Sequence, residues 1–282
     1  MELGQSVIAP LVPHTHTIIF LHGRGDTSAN MADSLLRWAR DSRGRSLVDA
    51  LPSVRWVFPQ AEVRVAEKFD EECPQWFDIW NLLDMTDREE LQVFGLRESV
   101  LSIRRIVRRE AKMVGALERV VLAGISQGAA TAVHTLLHLG ELGDADAVGD
   151  VTAQKQLLGQ DADADSNKET PPPARLGALV GLSGWLSFPG GSLEETREVL
   201  GLEEAPPEND DVVRHTPVFL GHCADDPLVF IEYGKQLRDS LRGFGMEVSW
   251  NEYADGGHWI NSPRGVDDVV AFLMAQGIPT AE

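Results

Sequence analysis

The chain has 282 residues, 43% of them hydrophobic, so it can bury one large core or two modest ones. Its formal net charge of −19 at pH 7 argues against a non-specific nucleic-acid binder, because neutralising phosphates requires clustered cations. Cys73 and Cys223 lie far apart and form neither a metal-ligand pair nor a disulfide framework. No basic, apolar leader and no run near the ~20 apolar residues of a membrane span is visible, so we expect a cytoplasmic protein.

Apolar, β-rich segments alternate along the chain with segments of helical periodicity. The predicted strands are 17–21, 54–58, 119–123, 178–182, 218–220 and 247–250, and the predicted helices are 31–40, 88–113, 129–139, 230–241 and 266–275. This alternation predicts an α/β fold with a mostly parallel central sheet and helices on both faces. At the start of the longest helix we expect Thr86 and Glu89 to form a capping box, and we expect Gly95 to bend or break that helix.

The segment 141–173 departs from this alternation. Aspartates and glutamates dominate it, few of its residues are suited to burial, and it ends in three prolines. A segment that buries little apolar surface cannot offset the entropy lost on ordering. We therefore predict a mobile acidic insertion within a single domain that spans residues 1–282. The insertion is either a tolerated surface loop or a site for regulation or partner binding.

One serine stands where a strand is predicted to turn sharply into a helix. The stretch VVLAGISQGAATAV, residues 120–133, places Ser126 between Gly124 and Gly128. A nucleophilic serine is presented on such a turn, where a Cβ two residues to either side would collide with the adjoining strand and helix. The spacing therefore predicts a nucleophile at Ser126, against the simpler alternative of a glycine-containing turn with an ordinary serine.

A serine nucleophile also needs a base, and a third group that orients the base. Two aspartates, Asp225 and Asp226, follow the predicted strand 218–220, and His258 follows the predicted strand 247–250. The carboxyl ends of parallel strands meet at one edge of the sheet, where open α/β sheets build their sites. Serine, then aspartate, then histidine is also the chain order of α/β-hydrolases. Either aspartate can orient His258.

Acyl transfer further requires two backbone N–H groups facing the oxygen that becomes charged. Gln127, directly after Ser126, supplies one of them, and we assign the second to Arg24 in the glycine-rich loop after the first predicted strand. The alternative, a phosphate-binding loop, lacks both the Walker lysine and the Rossmann spacing.

Six segments in this order resemble the acyl-protein thioesterase, lysophospholipase and carboxylesterase family of α/β-hydrolases: FLHGRGDT, PQWFDI, GISQGAA, GLSGWL, HCADDPLV and GGH. The resemblance implies the α/β-hydrolase fold, with Ser126 as nucleophile, Asp226 as acid, His258 as base, and an oxyanion hole from the amides of Arg24 and Gln127. The family usually has leucine where Arg24 stands, and a cation there is expected to alter acyl-group or headgroup preference. No cofactor and no metal are expected.

The segment 69–83 is more apolar than an ordinary loop. It either packs on the sheet or lines an acyl channel, and the resemblance favours the channel because this region flanks the lipid-binding groove in the family. Trp185 and Leu186, just past a strand end, are candidates for the same wall. We therefore expect substrate contacts from Trp76, Phe77, Trp80, Leu83, Trp185 and Leu186.

These features together predict a serine hydrolase that cleaves acyl thioesters or esters through an acyl-enzyme on Ser126. The first hypothesis is a depalmitoylating acyl-protein thioesterase. The alternatives are a lysophospholipase or broad carboxylesterase and, from a different class, a hydrolase-fold binding protein that has lost catalysis. The expected partners are acylated proteins or lysophospholipids, with transient contact to a membrane surface.

Two other clusters have simple interpretations. His134 and His138 are four residues apart on a predicted helix, a spacing that suits zinc, but Thr135 stands where a metalloprotease has its glutamate, so no metal is expected there. Basic residues on the longest predicted helix form either a solvated face or a surface that contacts anionic lipid or an acidic partner. They are Arg104, Arg105, Arg108, Arg109 and Lys112.

Overall fold

The computed structural model of the chain describes residues 3–140, 173–202 and 209–281. All but the last residue of the predicted acidic insertion, 141–173, lies outside these residues. Its mobility and the single domain of 1–282 therefore stay predictions.

The described strands build one central sheet and one hairpin. They are β1 (Gln5–Ile8), β2 (His16–Leu21), β3 (Val54–Pro59), β4 (Val63–Ala66), β5 (Glu71–Pro74), β6 (Val120–Ile125), β7 (Ala178–Leu182), β8 (Val218–Cys223) and β9 (Val248–Tyr253). The sheet has the order β1, β3, β2, β6, β7, β8, β9, and β4 and β5 form the antiparallel hairpin. Only β1 in the sheet is antiparallel to its neighbour, so the prediction of a mostly parallel sheet is confirmed.

Helices cover both faces of this sheet, as predicted. They are α1 (Ser28–Trp38), α2 (Leu47–Ala50), α3 (Gln92–Val114), α4 (Gln127–Leu137), α5 (Leu193–Glu198), α6 (Asp211–His215), α7 (Ile231–Gly243) and α8 (Arg264–Ala275). Successive side chains of a strand point to opposite faces. Ile19 and Leu21 of β2 accordingly join the core beneath α3, α4 and α7, whereas Ile18 and Phe20 join the core beneath α1, α2 and α8.

β6 lies at the middle of the sheet, with β2 and β7 as its neighbours. All six of its residues are buried, as expected for a strand that is covered on both faces and is therefore apolar throughout. Because β6, β8 and β9 run parallel to one another, the segments that follow them leave the sheet at one edge. Ser126, Asp226 and His258 stand in those segments.

The start of α3 differs from the prediction. The Thr86 hydroxyl donates to Asp84 Oδ1 at 2.7 Å, and α3 begins only at Gln92, so the expected capping box is absent. Gly95 neither breaks nor ends α3. A Cβ at Gly95 would lie 2.7 Å from the Phe77 Cα, so this glycine lets the helix approach the backbone of another segment closely. β1, the β4–β5 hairpin and the short helices were not predicted.

The basic patch predicted on α3 is smaller than expected. Arg104 is only 5% exposed and lies close enough to His138 to affect its pKa, so it belongs to the interior and not to a solvated face. Arg105 and Lys112 are exposed, and Arg109 Nη2 donates to Gln5 Oε1 at 2.7 Å on β1. The exposed part of the patch therefore consists of fewer cations than the sequence suggests.

Candidate active site

Ser126 occupies a sharp turn between β6 and α4, with φ +56° and ψ −128°. A positive φ is uncommon for a residue with a side chain and is kept only where the surrounding structure enforces it. Gly124 and Gly128 permit the turn: a Cβ at Gly124 would lie 2.5 Å from the Gly128 carbonyl carbon, and one at Gly128 would collide with the Leu21 carbonyl oxygen. The two glycines are required because strand, turn and helix approach one another without room for a methyl group.

Hydrogen bonds fix the turn from both sides. The Ser126 amide donates to the Leu182 carbonyl oxygen of β7 at 2.9 Å, and the Ser126 carbonyl oxygen accepts from the amides of Ala129 and Ala130 in α4. The loop that follows β2 lies on the other side, since a Cβ at Gly23 would be 3.6 Å from the Ser126 Cβ. The serine is thus held between β7 and the loop after β2, the two strands that flank β6.

Asp226 and His258 are in direct contact. The His258 Nδ1 lies 2.8 Å from Asp226 Oδ2 and 3.0 Å from Oδ1, and the carboxylate oxygens also accept from the amides of Leu228 and Val229. Burial alone would raise the pKa of Asp226, but the hydrogen bonds from His258 and from these amides hold it below its usual value. The carboxylate is therefore ionised near neutral pH. His258 then carries its proton on Nδ1, which leaves Nε2 as a hydrogen-bond acceptor.

The neighbouring aspartate has a different partner. Asp225 is exposed, and its Oδ1 accepts from the Gly257 amide at 2.8 Å, so it holds the loop that carries His258 and not the imidazole itself. The contact geometry thus separates the two carboxylates that spacing alone left equivalent.

A second histidine supports the loop after β8. His222 is buried, its Nε2 donates to the Val229 carbonyl oxygen at 2.8 Å, and burial lowers its pKa. The same Val229 donates its amide to Asp226. Sequence reasoning did not assign His222 a role, although it is the first residue of the HCADDPLV motif. It positions the backbone that orients Asp226.

The loop after β2 is attached to the end of the β4–β5 hairpin. The Gly25 amide donates to the Pro74 carbonyl oxygen at 2.7 Å, and Trp76 Nε1 donates to the His22 carbonyl oxygen at 2.8 Å. His22 Nε2 accepts from the Ala61 amide at 3.1 Å. Neither the Arg24 nor the Gln127 amide donates to another described residue. Both donors are thus available to a ligand.

The Gln127 side chain has a structural role that the sequence did not reveal. Its Oε1 accepts from the Trp76 amide at 2.9 Å, and its Nε2 donates to the Phe77 carbonyl oxygen at 2.7 Å. Gln127 is fully buried. The residue after Ser126 therefore anchors the segment that leaves the β4–β5 hairpin.

A cavity of about 260 Å³ opens beside these residues. Both Ser126 and His258 line it, although no hydrogen bond joins these two residues. Its wall is mostly apolar. The other described lining residues are Gly23, Arg24, Asp26, Met31, Ile79, Leu82, Met85, Ile125, Gln127, Trp185, Leu228, Val229 and Trp259.

Most residues expected to contact substrate do not line this cavity. Trp185 does, but Trp76 and Phe77 are fully buried, because Gln127 holds their backbone against the core. Leu186 is buried in the same core, and Leu83 is 63% exposed outside the cavity. The Trp80 ring lies under the Arg88 guanidinium, 4.4 Å from its carbon. Ile79, Leu82 and Met85 of the same segment supply the apolar wall instead.

His134 in α4 and His138, directly after α4, both bond to backbone carbonyl oxygens. His134 Nε2 donates to the Ser187 carbonyl oxygen at 2.9 Å, and His138 Nδ1 donates to the His134 carbonyl oxygen at 2.7 Å. Both side chains are buried, and each has at least one ring nitrogen bonded to a backbone carbonyl oxygen. Within residues 3–140, 173–202 and 209–281, no group of His, Cys, Asp or Glu side chains is arranged to hold a metal ion.

Among the helices that the structure describes, each is too short or too polar to cross a membrane.

Comparisons with known proteins agree with this geometry. Residues 3–142 match the model of the phospholipase/carboxylesterase family. The chain is 28% identical to acyl-protein thioesterase 1 of Gibberella zeae over 97% of this chain and 98% of that protein, and 27% identical to acyl-protein thioesterase 1 of Yarrowia lipolytica over 85% and 83%. Its fold matches the crystal structure of Zea mays acyl-protein thioesterase 2 with a TM-score of 0.67 and 25% identity, covering 97% and 98% of the two chains. The chain is a serine hydrolase with the α/β-hydrolase fold, and it is similar along nearly its whole length to the acyl-protein thioesterases that its motifs resemble.

Proposed function

We propose that this chain is an acyl-protein thioesterase, which removes long-chain acyl groups from cysteine side chains of proteins. The observation that carries the proposal is the contact between His258 and the ionised Asp226 beside a cavity that also exposes Ser126. Relatives named acyl-protein thioesterase 1 supply the substrate class, since they match along nearly the whole chain.

In the proposed mechanism, Ser126 Oγ attacks the acyl carbon while His258 Nε2 accepts the hydroxyl proton. Asp226 stabilises the imidazolium that forms and keeps the ring in the productive tautomer. The amides of Arg24 and Gln127 donate to the negative oxygen of the tetrahedral intermediate. His258 then protonates the departing cysteine sulfur, and the acyl group stays on Ser126.

Water releases the acyl group in the second half of the reaction. His258 Nε2 removes a proton from the water as its oxygen attacks the acyl-enzyme, and that proton returns to Ser126 Oγ when the intermediate collapses. The products are a fatty acid and the free serine. The apolar residues Ile79, Met85 and Trp185 are the proposed contacts for the acyl chain, because they are buried and line the cavity.

The second candidate is a lysophospholipase or broad carboxylesterase. It is favoured by the description of the matching family, and the same serine chemistry cleaves an oxygen ester. We do not retain the catalytically inactive alternative, because the carboxylate, the imidazole and the strained serine are all present at one edge of the sheet.

Two exposed leucines at the cavity suggest where the reaction takes place. Leu82 and Leu228 line the cavity and are 37% and 51% exposed. We propose that they make transient contact with a membrane surface while the enzyme, acting in the cytoplasm, withdraws an acyl chain from it. Sedimentation with phosphatidylcholine vesicles should decrease when both leucines are replaced by aspartate.

The test of the function begins with a fluorophosphonate probe. The wild type and Ser249→Ala, which changes an exposed serine on β9, should both be labelled, whereas Ser126→Ala should not. A wild type that resists the probe would contradict the enzymatic proposal, and labelled Ser126→Ala would reassign the nucleophile.

Substrate class is tested separately. The values of kcat/KM for a palmitoyl-cysteine peptide, lysophosphatidylcholine and a short aryl ester should be highest for the peptide. A higher value for lysophosphatidylcholine would favour the second candidate.

A further inference from the structure

We infer that the guanidinium of Arg24 selects acylated proteins that carry a carboxylate beside the acylated cysteine. The inference rests on the proposed function and concerns the Arg24 side chain, whereas the proposed oxyanion donor is the Arg24 backbone amide. Arg24 lines the same cavity as Ser126 and His258.

Arg24 is held in position by one of its donors. Its Nε donates to Gln75 Oε1 at 3.0 Å. Gln75 is itself fully buried, with its amide donating to the Glu62 carbonyl oxygen at 3.0 Å and its Nε2 donating to the Arg64 carbonyl oxygen at 3.2 Å. The guanidinium is therefore oriented by a rigid neighbour before any ligand binds.

The other edge of the guanidinium remains available. Among the described residues, no carboxylate lies within ion-pairing distance of Arg24, and its two terminal nitrogens have no hydrogen-bond partner. Asp26 lines the same cavity, but its Oδ1 accepts from the Thr27 amide at 2.8 Å. Two parallel N–H groups on a planar fork match the two oxygens of a carboxylate.

The position of Arg24 in the cavity indicates which part of the substrate it meets. The apolar lining residues Ile79, Met85 and Trp185 are at most 5% exposed, whereas Arg24 is half-buried. The acyl chain is expected on the buried, apolar side, so the cation lies on the side that faces solvent. A leaving cysteine and its neighbouring residues occupy that side.

Charge makes this contact selective. Arg24 is the only arginine or lysine among the described residues that line the cavity, in a chain with a net charge of −19. An anion near Ser126 is repelled by the protein as a whole and is stabilised only where this guanidinium reaches it. Pairing of this guanidinium with a substrate carboxylate is expected to raise kcat/KM about tenfold, which corresponds to about 1.4 kcal/mol.

The experiment compares two palmitoyl-cysteine peptides that differ only in one residue, glutamate or glutamine, next to the acylated cysteine. We expect the wild type to favour the glutamate peptide about tenfold in kcat/KM. The ratio should fall to about one in Arg24→Leu and to an intermediate value in Arg24→Lys, because an ammonium lacks the planar fork. Arg37→Leu removes a charge from the exposed face of α1 and should keep the wild-type ratio.

A ratio within one variant cancels any loss of folded protein, so the result does not depend on equal stability. A wild-type ratio near one, or a ratio that persists in Arg24→Leu, would overturn the inference while hydrolysis of the glutamine peptide still supports the thioesterase function. Failure to hydrolyse either peptide would instead overturn the function. The same two proteins are also compared on lysophosphatidic acid and monoacylglycerol. If Arg24→Leu leaves the peptide ratio unchanged and alters only the ratio between these two lipids, Arg24 recognises a lipid phosphate and not a peptide, and the inference is overturned.

Discussion

The amide of Trp76 donates to the side chain of Gln127 at 2.9 Å, so the residue after Ser126 also holds the segment that follows the β4–β5 hairpin. Trp76 in turn donates its indole N–H to the His22 carbonyl oxygen. One buried tryptophan therefore joins the turn of the proposed nucleophile to the loop that carries Arg24. The two proposed oxyanion donors are connected through side chains, not only through the sheet.

Replacing Gln127 by leucine should destabilise the protein by about 2–4 kcal/mol, because the buried Trp76 amide and Phe77 carbonyl oxygen would each lose a partner. Denaturant unfolding measures this change. The matched variant Gln236→Leu alters an exposed position on α7 and should stay within about 0.5 kcal/mol of the wild type. Equal stability of the two variants would show that the Gln127 bonds are not needed.

Asp226→Asn should lower kcat about 10⁴-fold, because an amide donor facing His258 Nδ1 favours the wrong ring tautomer. Asp225→Asn should lower it less than about tenfold, since the asparagine oxygen can still accept from the Gly257 amide. Steady-state kinetics on one thioester substrate compares the two variants directly. A larger loss in Asp225→Asn would exchange their roles.

Gly128→Ala should cost about 3 kcal/mol or more, because the new methyl group would collide with the carbonyl oxygens of Leu21 and His22. Activity should fall with it, since the turn at Ser126 must shift. Gly243→Ala is the control: nothing lies within 4 Å of its Cβ position at the end of α7, so it should be neutral or stabilising by up to about 1 kcal/mol. Thermal denaturation of both variants is the measurement. A stable, active Gly128→Ala would contradict the steric argument.

Stability should fall as the pH decreases below about 6.5, because of a buried histidine. Burial, and then the proximity of His138, lower the pKa of His134 to about 3. Between the unfolded value near 6.5 and about 3, the unfolded chain binds a proton that the folded chain does not, so acid favours unfolding.

Urea midpoints from pH 7 to 4 test this dependence. His134→Gln should flatten the decline, whereas His215→Gln, at an exposed position, should leave it unchanged. An unaltered slope in His134→Gln would refute the assignment.

The chain order of strands and helices was sufficient to predict which segments meet at the site, because parallel strands place their carboxyl ends at one edge. Spacing did not distinguish Asp225 from Asp226, which are adjacent after β8. The amides of Leu228 and Val229, which donate to Asp226, fix the direction of that side chain toward His258. The assignment of Asp226 as the partner of His258 therefore depends on the folded turn after β8 and not on the spacing of the residues.

The apolar segment after the hairpin was harder to interpret. Hydrophobicity alone does not distinguish a residue that lines a cavity from one that packs in the core. Trp76 and Phe77 are core residues because Gln127 holds their backbone, whereas Ile79 and Leu82, further along, line the cavity. The hairpin itself was not predicted, because Glu71 and Glu72 give β5 no alternation of apolar and polar residues.

The attachment of the Arg24 loop to the hairpin has an evolutionary consequence. Gly25 is bound to Pro74, and Arg24 to Gln75, while the hairpin itself stands outside the central sheet. A substitution in β4 or β5 can therefore change how Gln75 holds the Arg24 guanidinium, while the strands that precede Ser126, Asp226 and His258 keep their pairing. New substrate preferences can arise in this hairpin through substitutions that leave the bonds of Trp76 to Gln127 and His22 in place.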